Sequence, residues 1–292
     1  MSGKYWAFSL VLITAVWGWS FVAIHLALQE VNAASFNALR FLTGTLVMVP
    51  FVYRRLIKIS ATHYLQACVA GVALFFAFTF QTSGIKYTTA SNASFITGLA
   101  IVFTPVFAFL MLKVKPSFNQ MLGGAIATVG LGMLTLQGLS VHQGDLLVLV
   151  CAVFTGLHII ILSNVSKHVE SAVLAFIQIG VVGALSTLWS LFDGGFQMPT
   201  SYSVSLTVLI IGIVGTAAAY FIQTKAQIAS SPARIALILV LEPVFGGFFG
   251  YFLGGDRLGV VNLVGACLIV AGMVVTEFEA DAIKKWRIRT LN

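Results

Sequence analysis

The sequence predicts an all-α integral membrane protein with ten transmembrane helices, and three observations support this fold class. The mean hydropathy is +1.00. Of the 292 residues, 59% are hydrophobic and only 9% are charged, whereas a soluble domain carries about 25% charged residues. No globular core could bury so much apolar surface, so lipid must act as the solvent. The apolar runs are also long and continuous rather than alternating, which favours helices over a membrane barrel.

Each predicted span follows from an apolar stretch of about 20 residues, the length that a helix needs to cross a bilayer. Charged or turn-forming residues separate the stretches, at Arg54-Arg55 with Lys58, Lys113 to Pro116, Gly194-Gly195 with Pro199, Ser230 to Pro232 and Gly254 to Arg257. Spans 1 to 10 are predicted at 4–28, 33–53, 62–83, 90–112, 117–137, 143–164, 171–192, 203–225, 231–254 and 258–277. The connections are short, so little chain remains for an extramembrane domain.

The basic residues predict the orientation of the chain. With a cytoplasmic N-terminus, 13 of the 16 Lys and Arg residues fall on the inner side, Lys86 and Arg257 fall outside, and Arg40 lies within a span. Cytoplasmic loops carry an excess of basic residues, which predicts a multi-pass protein of the inner (plasma) membrane with both termini in the cytoplasm. The basic tail from Lys284 to Arg289 is interpreted as an anchor to anionic lipid. The net charge of +7 therefore reflects topology, and nothing else indicates nucleic-acid binding.

An internal repeat divides the chain into two units of five spans, predicted at 1–137 and 138–292. A shift of 138 residues places Arg40 on Gln178, and it places Thr104-Pro105-Val106-Phe107 on Glu242-Pro243-Val244-Phe245. Because five is odd, the second unit enters the membrane in the opposite direction. Such inverted repeats support alternating access around a central cavity.

The two units are similar but not identical. Gln81 in span 3 matches Gln223 in span 8, and the glycine pair 123 and 130 of span 5 matches the pair 265 and 272 of span 10. From Tyr87 to Pro105 there are 18 residues, whereas the matching stretch before Pro243 has 14. Span 4 is therefore predicted to contain about one extra helical turn ahead of its proline.

Three elements resemble the EamA-type branch of the drug/metabolite transporter superfamily. They are Trp17-Gly18 in span 1, Lys86-Tyr87-Thr88-Thr89-Ala90 leading into span 4, and Glu242-Pro243-Val244 in span 9. The glycine-rich fifth and tenth spans fit as well, and the resemblance covers nearly the whole chain. It implies ten helices, a basket-like central cavity, and export of amino acids or other small metabolites. It does not define the substrate.

Two charged residues fall well inside predicted spans, away from the span ends, and are the first candidates for function. A charge at mid-span costs about 2.5–3.5 kcal/mol on insertion scales, so Arg40 in span 2 and Glu242 in span 9 need a reason to be there. We expect Arg40 to bind an anionic group of the substrate, and Glu242 to bind a cationic group or carry a coupling proton. Alternatively, Arg40 reaches the membrane boundary or pairs with Glu242, and Glu242 serves helix packing as a neutral acid.

The remaining candidates are polar or aromatic residues at repeat-related or deep positions. The predicted substrate-binding residues are Trp17, Asn37, Arg40, Phe78, Gln81, Asn92, His158, Gln178, Tyr220, Gln223 and Glu242. Ligand pockets combine aromatic walls with a few polar groups, although core packing and interhelical hydrogen bonds could also account for these side chains. Pro105 and Pro243 are predicted to kink spans 4 and 9 and so form gates, because proline removes a helical hydrogen bond.

Several function classes lack support in the sequence. No Walker loop, serine–histidine–acid order or metal-binding motif is present, so neither an enzyme nor a cofactor is predicted. The expected partners are a small-molecule substrate and the lipid bilayer. Small residues on spans 5 and 10 would allow helices to approach closely within the protein or across a homodimer. The sequence therefore predicts a secondary transporter, with a facilitative channel or uniporter and a structural or sensory membrane protein as the alternatives.

Overall fold

The computed structural model describes residues 3–57, 59–113, 115–137, 140–229 and 238–290, and it confirms the all-α fold class. The described helices are α1 (Gly3–Ala27), α2 (Ala33–Leu56), α3 (Ala61–Ile85), α4 (Ala90–Gly98), α5 (Ala100–Leu112), α6 (Phe118–Thr135), α7 (Gln143–Val165), α8 (Ser171–Ser190), α9 (Tyr202–Gly212), α10 (Ala219–Ala229), α11 (Leu241–Phe252) and α12 (Val260–Thr290). A π-helical segment, Ile213–Ala218, joins α9 to α10. Two-residue strands β1 (Leu136–Gln137) and β2 (Ser140–Val141) form one antiparallel pair.

Every predicted span contains a helix. Seven described helical stretches are long and apolar enough to cross a membrane, and Val260–Val275 is a shorter apolar one. Span 5 corresponds to the 18-residue α6. Span 9 is described only from residue 238 onward, so the predicted break from Ser230 to Pro232 and the basic residue Arg234 lie outside the described residues, as does Lys58.

Capping side chains explain where several helices begin. Asn32, Ser60, Thr89 and Ser201 stand just before α2, α3, α4 and α9, and each accepts a hydrogen bond from the backbone N–H three residues later. Such caps satisfy backbone donors that have no partner within the helix. Short polar residues in the loops thus fix the ends of these spans.

The helices of spans 4 and 8 are interrupted, which the sequence did not predict at these places. Span 4 breaks at Leu99, between α4 and α5, where the backbone N–H of Val102 bonds to the Leu99 carbonyl at 2.8 Å. Pro105 lies beyond this break, inside α5. Pro243 lies in the first turn of α11, where its missing N–H costs no helical bond. Neither proline therefore ends the helix in which it lies.

The packing of the helices repeats after five spans. Spans 5 and 10 (α6 and α12) pack on each other, and so do spans 2 and 7 (α2 and α8). Span 3 (α3) packs on span 6 (α7). The repeat relates these spans to span 8 (α10) and span 1 (α1), which also pack on each other. Glycines permit the tightest of these contacts: a Cβ on Gly130 would lie 2.6 Å from the Gly265 carbonyl, and one on Gly272 would lie 2.5 Å from that of Gly123.

The contacts correct the predicted register of spans 4 and 9. A Cβ on Gly18 would meet the Cβ of Phe245 at 2.5 Å, and a Cβ on the repeat-related Gly156 would meet that of Phe103 at 3.0 Å. Phe103, not Phe107, is therefore the counterpart of Phe245, and the shift between spans 4 and 9 is 142 residues. Pro105 lies one helical turn beyond the counterpart of Pro243, so the prediction that the two prolines are equivalent is wrong. The extra turn in span 4 is the physical reason.

Loops at one end of the molecule join the two halves. The Glu30 carboxylate accepts hydrogen bonds from the backbone and side chains of Thr200 and Ser201, at the start of α9. These bonds, led by the one from the Ser201 hydroxyl, lower the pKa of Glu30 from 4.5 to about 2. The Asn32 amide donates to the carbonyls of Asp193 and Gly195. At the other end of the bundle, Arg55 pairs with Glu170.

Candidate functional site

A cavity lies at the centre of the bundle, between the two halves. Its cavity volume is about 100 Å³, which leaves room for water or a small solute. Eight of the predicted substrate-binding residues line it: Trp17, Arg40, Phe78, Gln81, His158, Tyr220, Gln223 and Glu242. Helices from both halves thus bring together side chains that are distant in the chain.

Arg40 is the largest fully buried side chain, with 1% of its surface exposed. Its guanidinium carbon lies 4.9 Å from the centre of the Phe41 ring and 4.8 Å from that of Phe78. Its Nε atom donates to the Thr216 hydroxyl at 3.4 Å, while Nη1 is buried and has no hydrogen-bond partner. A buried cationic donor without a partner is costly, and because Arg40 lines the cavity, an anionic ligand there could satisfy it.

The π-helical segment places two cavity residues. A π turn leaves backbone groups out of the regular helical pattern, and here the Gly215 carbonyl accepts a hydrogen bond from the Trp17 indole at 2.8 Å. The next residue, Thr216, accepts the bond from Arg40. The π-helical segment therefore positions two side chains of the cavity wall, the Trp17 indole from α1 and the Arg40 guanidinium from α2.

His158 and Gln178 form a polar pair in the opposite half. The His158 Nε2 atom lies 2.8 Å from the Gln178 Oε1 atom, so the imidazole donates to the amide oxygen. The Gln178 Nε2 atom is buried without a partner. Gln178 does not line the cavity, but its hydrogen bond orients the His158 ring, which does. The His158 ring lies edge-on to the Tyr220 ring, with ring centres 6.5 Å apart.

Glu242 lies on the cavity wall at the start of α11. Among the described residues, the ion pair detected joins Arg55 to Glu170, so Arg40 and Glu242 are not within ion-pair distance of each other. A guanidinium group and a carboxyl group therefore line one cavity without pairing directly with each other. A solute carrying both a carboxylate and an ammonium group could contact both.

The two glutamines differ in their hydrogen bonding. Gln81 donates to the Thr97 hydroxyl at 3.3 Å. The Gln223 Oε1 atom is buried without a partner. Gln223 is thus able to accept a hydrogen bond from a ligand.

Four further candidates lie away from the cavity. The Asn37 amide donates to the Phe78 carbonyl at 3.1 Å and accepts from the Thr82 hydroxyl at 2.9 Å, so it links α2 to α3. Asn92 is in the first turn of α4, where its backbone N–H bonds to the Thr89 hydroxyl. Pro105 and Pro243 are also absent from the cavity wall. The Pro243 ring packs against α4, 3.0 Å from where a Cβ on Gly98 would lie.

Sequence reasoning missed several residues of the cavity wall, including Ser20, Cys151 and Thr155. The repeat offered a signal for two of them. Thr155 in the second half is the repeat-related counterpart of Trp17, and Ser20 in the first half is the counterpart of His158. Within the described residues, no group of three metal-binding side chains lies close together.

Comparisons with known proteins agree with this architecture. A family model described as the EamA-like transporter family matches residues 4–136 and 142–278. An uncharacterized transporter of Archaeoglobus fulgidus is 31% identical over 92% of this chain and 85% of its own length. A probable amino-acid metabolite efflux pump of Salmonella typhimurium is 25% identical over 93% of this chain and 94% of its own. One solved crystal structure shares the fold, with a TM-score of 0.69 at 17% identity, over 96% of this chain and 98% of that one.

Proposed function

The chain belongs to the EamA-like transporter family, and from this premise we propose that it is a secondary transporter that exports amino acids or similar small metabolites by alternating access. The observation that carries the proposal is the Arg40 guanidinium, buried on the wall of the central cavity with Nη1 unpartnered. A substrate carboxylate would satisfy that donor. The relative from Salmonella typhimurium supports the substrate class by its name.

The working arrangement places one substrate between the two charges of the cavity. Arg40 binds the carboxylate, and Glu242 binds the ammonium group or exchanges a proton for it. Gln223 orients the ligand through its unpartnered Oε1 atom. Trp17, Phe78 and Tyr220 form the apolar walls.

Alternating access requires the cavity to close on one side and open on the other. On the side toward the predicted outer loops, α4 and α11 pack directly together. A Cβ on Gly246 would overlap Ser94, and one on Gly250 would overlap Ser91. We infer that this glycine contact is the closed outer gate, and that it separates when the two halves rock.

Placement in the inner membrane with cytoplasmic termini belongs to the same proposal. The distribution of basic residues supports it, since 13 of the 16 lie on one side of the ten spans. The contacts that repeat after five spans support the predicted division into units 1–137 and 138–292.

The test is solute counterflow in proteoliposomes, with three matched probes: an amino acid, its decarboxylated amine and its deaminated acid. The wild type should exchange the amino acid best, because both charges of the cavity are then satisfied. Glu242→Gln should lose most exchange of the amino acid and the amine. It should also remove any dependence of flux on a proton gradient, while the melting temperature stays within a few degrees of the wild type.

Each other outcome has a definite meaning. Flux that is insensitive to a proton gradient in the wild type would favour a uniporter over a coupled carrier. If Glu242→Gln transports all three probes at the wild-type rate, the role of Glu242 is wrong. If no probe is exchanged by the wild type, the proposed substrate class is wrong.

A further inference from the structure

A groove runs along the outside of the bundle, separate from the central cavity. It lies between α2, the start of α8, the π-helical segment and α10. Its lining residues are Val47, Met48, Phe51, Arg55, Ala172, Ile213, Ala217, Ala218 and Phe221. All but Arg55 are apolar, and the stretch of α2 from Val47 to Arg55 spans about 12 Å at 1.5 Å per residue. The groove therefore has the length and polarity of a site for part of an acyl chain.

Two cations stand at one end of this groove. Arg55 lines it directly, and the Lys225 Nζ atom lies 5.7 Å from the ring of Phe221, which also lines it. Spans 2 and 8 run in the same direction, so Arg55 and Lys225 reach the same face of the membrane, the predicted inner one. Arg55 uses Nη1 to pair with Glu170, and its guanidinium has further N–H donors.

The repeat-related place in the other half is lined by different side chains. There, Phe75 and Phe76 of α3 are the counterparts of Ala217 and Ala218 in the π-helical segment. Two bulky rings thus replace two small side chains. Phe75 is buried, and the ring of Phe76 stacks on that of Phe154 at 5.1 Å. The small side chains that line the groove are therefore specific to one half and do not follow from the shared backbone.

The cations are equally specific to that half. The counterpart of Arg55 is Asp193, and the counterpart of Lys225 is Ser83. Small apolar side chains and two positive charges thus occur together in this half, whereas the counterparts in the other half are aromatic rings, an acidic residue and a serine. A phosphate attached to a hydrocarbon chain complements this combination.

We propose that the groove binds an anionic phospholipid, with its acyl chain against Ala217 and Ala218 and its phosphate between Arg55 and Lys225. The reverse side of the same π-helical segment holds Trp17 and Arg40 in the central cavity, through Gly215 and Thr216. Lipid bound on one side of this segment therefore stabilises the arrangement of the cavity on the other. The proposal rests on the groove alone and does not depend on the substrate.

The test is native mass spectrometry of the detergent-solubilised protein, titrated with phosphatidylglycerol or phosphatidylcholine of the same chain length. We expect the wild type to retain phosphatidylglycerol preferentially. A basic residue near a membrane surface contributes about 1 kcal/mol to attraction of anionic lipid, which is about fivefold in the binding constant, so Lys225→Gln should weaken retention about fivefold. Ala218→Phe copies the ring found in the other half and should also reduce retention.

Arg54→Gln is the matched control, because it removes a neighbouring cation that does not line the groove. It should retain the lipid as the wild type does. The proposal is overturned if Arg54→Gln and Lys225→Gln weaken retention equally, since that would show general attraction to a basic surface. It is also overturned if Ala218→Phe retains the lipid unchanged while its melting temperature without lipid matches the wild type.

Discussion

The two halves of the central cavity share a backbone plan but differ in chemistry. Five pairs of residues lie at repeat-related positions. With the first-half residue named first, they are Arg40 and Gln178, Ser20 and His158, Phe78 and Tyr220, Gln81 and Gln223, and Ala100 and Glu242. The first half supplies the cation, with Nη1 unpartnered. The second half supplies the carboxylate of Glu242 and a histidine held by a glutamine. The comparison teaches that a symmetric frame can hold a strongly polarised site.

The symmetry extends to the loops, where its chemistry is again broken. Glu30 bonds to the start of α9, and its counterpart His168 stacks on His63 near the start of α3, with ring centres 5.6 Å apart. A carboxylate is favourable at a helix N-terminus because of the helix dipole. The two ends of the molecule are therefore held together by contacts of different chemistry.

Replacing Arg40 by the residue of the other half should have the largest effect. Arg40→Gln removes the cation while keeping a polar side chain. A hydrogen bond to a charged group contributes about 1.5–3 kcal/mol, so the affinity for a carboxylate-bearing substrate should fall about 10- to 150-fold. The measurement is the concentration dependence of counterflow in proteoliposomes.

Stability separates this loss from misfolding. The native state already contains a buried guanidinium group whose Nη1 atom has no partner, so Arg40→Gln should leave the melting temperature unchanged or raise it. Arg40→Lys keeps the charge but not the planar donor geometry, and we expect partial recovery of affinity. Unchanged affinity in Arg40→Gln would mean that the polarity of the two halves does not select the substrate.

The contact between Gly246 and Ser94, at the proposed outer gate, should give the next largest effect. A methyl group added at Gly246 would overlap Ser94, and overpacking costs about 1–3 kcal/mol. Gly246→Ala should therefore lower the thermal stability of this closed state, and the double variant with Ser94→Gly should restore it. Differential scanning fluorimetry in detergent would measure both.

Gly180→Ala is the control for this prediction. Its added methyl would meet Thr45 at 3.5 Å, an ordinary contact, so its stability should be unchanged or slightly higher. If Gly246→Ala is as stable as Gly180→Ala, the two halves are not closely packed at this gate.

The smallest effect is expected for Glu30, and it should depend on pH. Its pKa is lowered to about 2 in the folded protein, so its contribution is fully present above the unfolded value of about 4.5 and is lost as pH falls toward 2. Glu30→Gln should lower the melting temperature slightly at pH 7. The difference from the wild type should shrink between pH 4.5 and pH 3, and a difference that is constant over that range would contradict the assignment.

The sequence predicted the class of fold because composition alone excludes a soluble core. It also indicated Arg40 and Glu242 as candidate site residues, because an isolated charged residue in an apolar stretch is easily recognised. It did not reveal Ser20 or Thr155 as cavity residues, because Ser and Thr in a span can equally bond to their own helix. The π-helical segment was also missed, since Ile213–Ala218 has the same apolar composition as any span.

The sequence by itself determined that this chain lies in a membrane, and it predicted ten spans in two units of five. Only the tertiary structure decided which side of each helix faces the cavity, and that Pro105 lies one turn beyond the counterpart of Pro243. The physical reason is that lipid is as apolar as a protein core. A membrane helix therefore carries no strong hydrophobic periodicity to mark its inner face, and register between spans is set by close contacts such as that of Gly18 with Phe245.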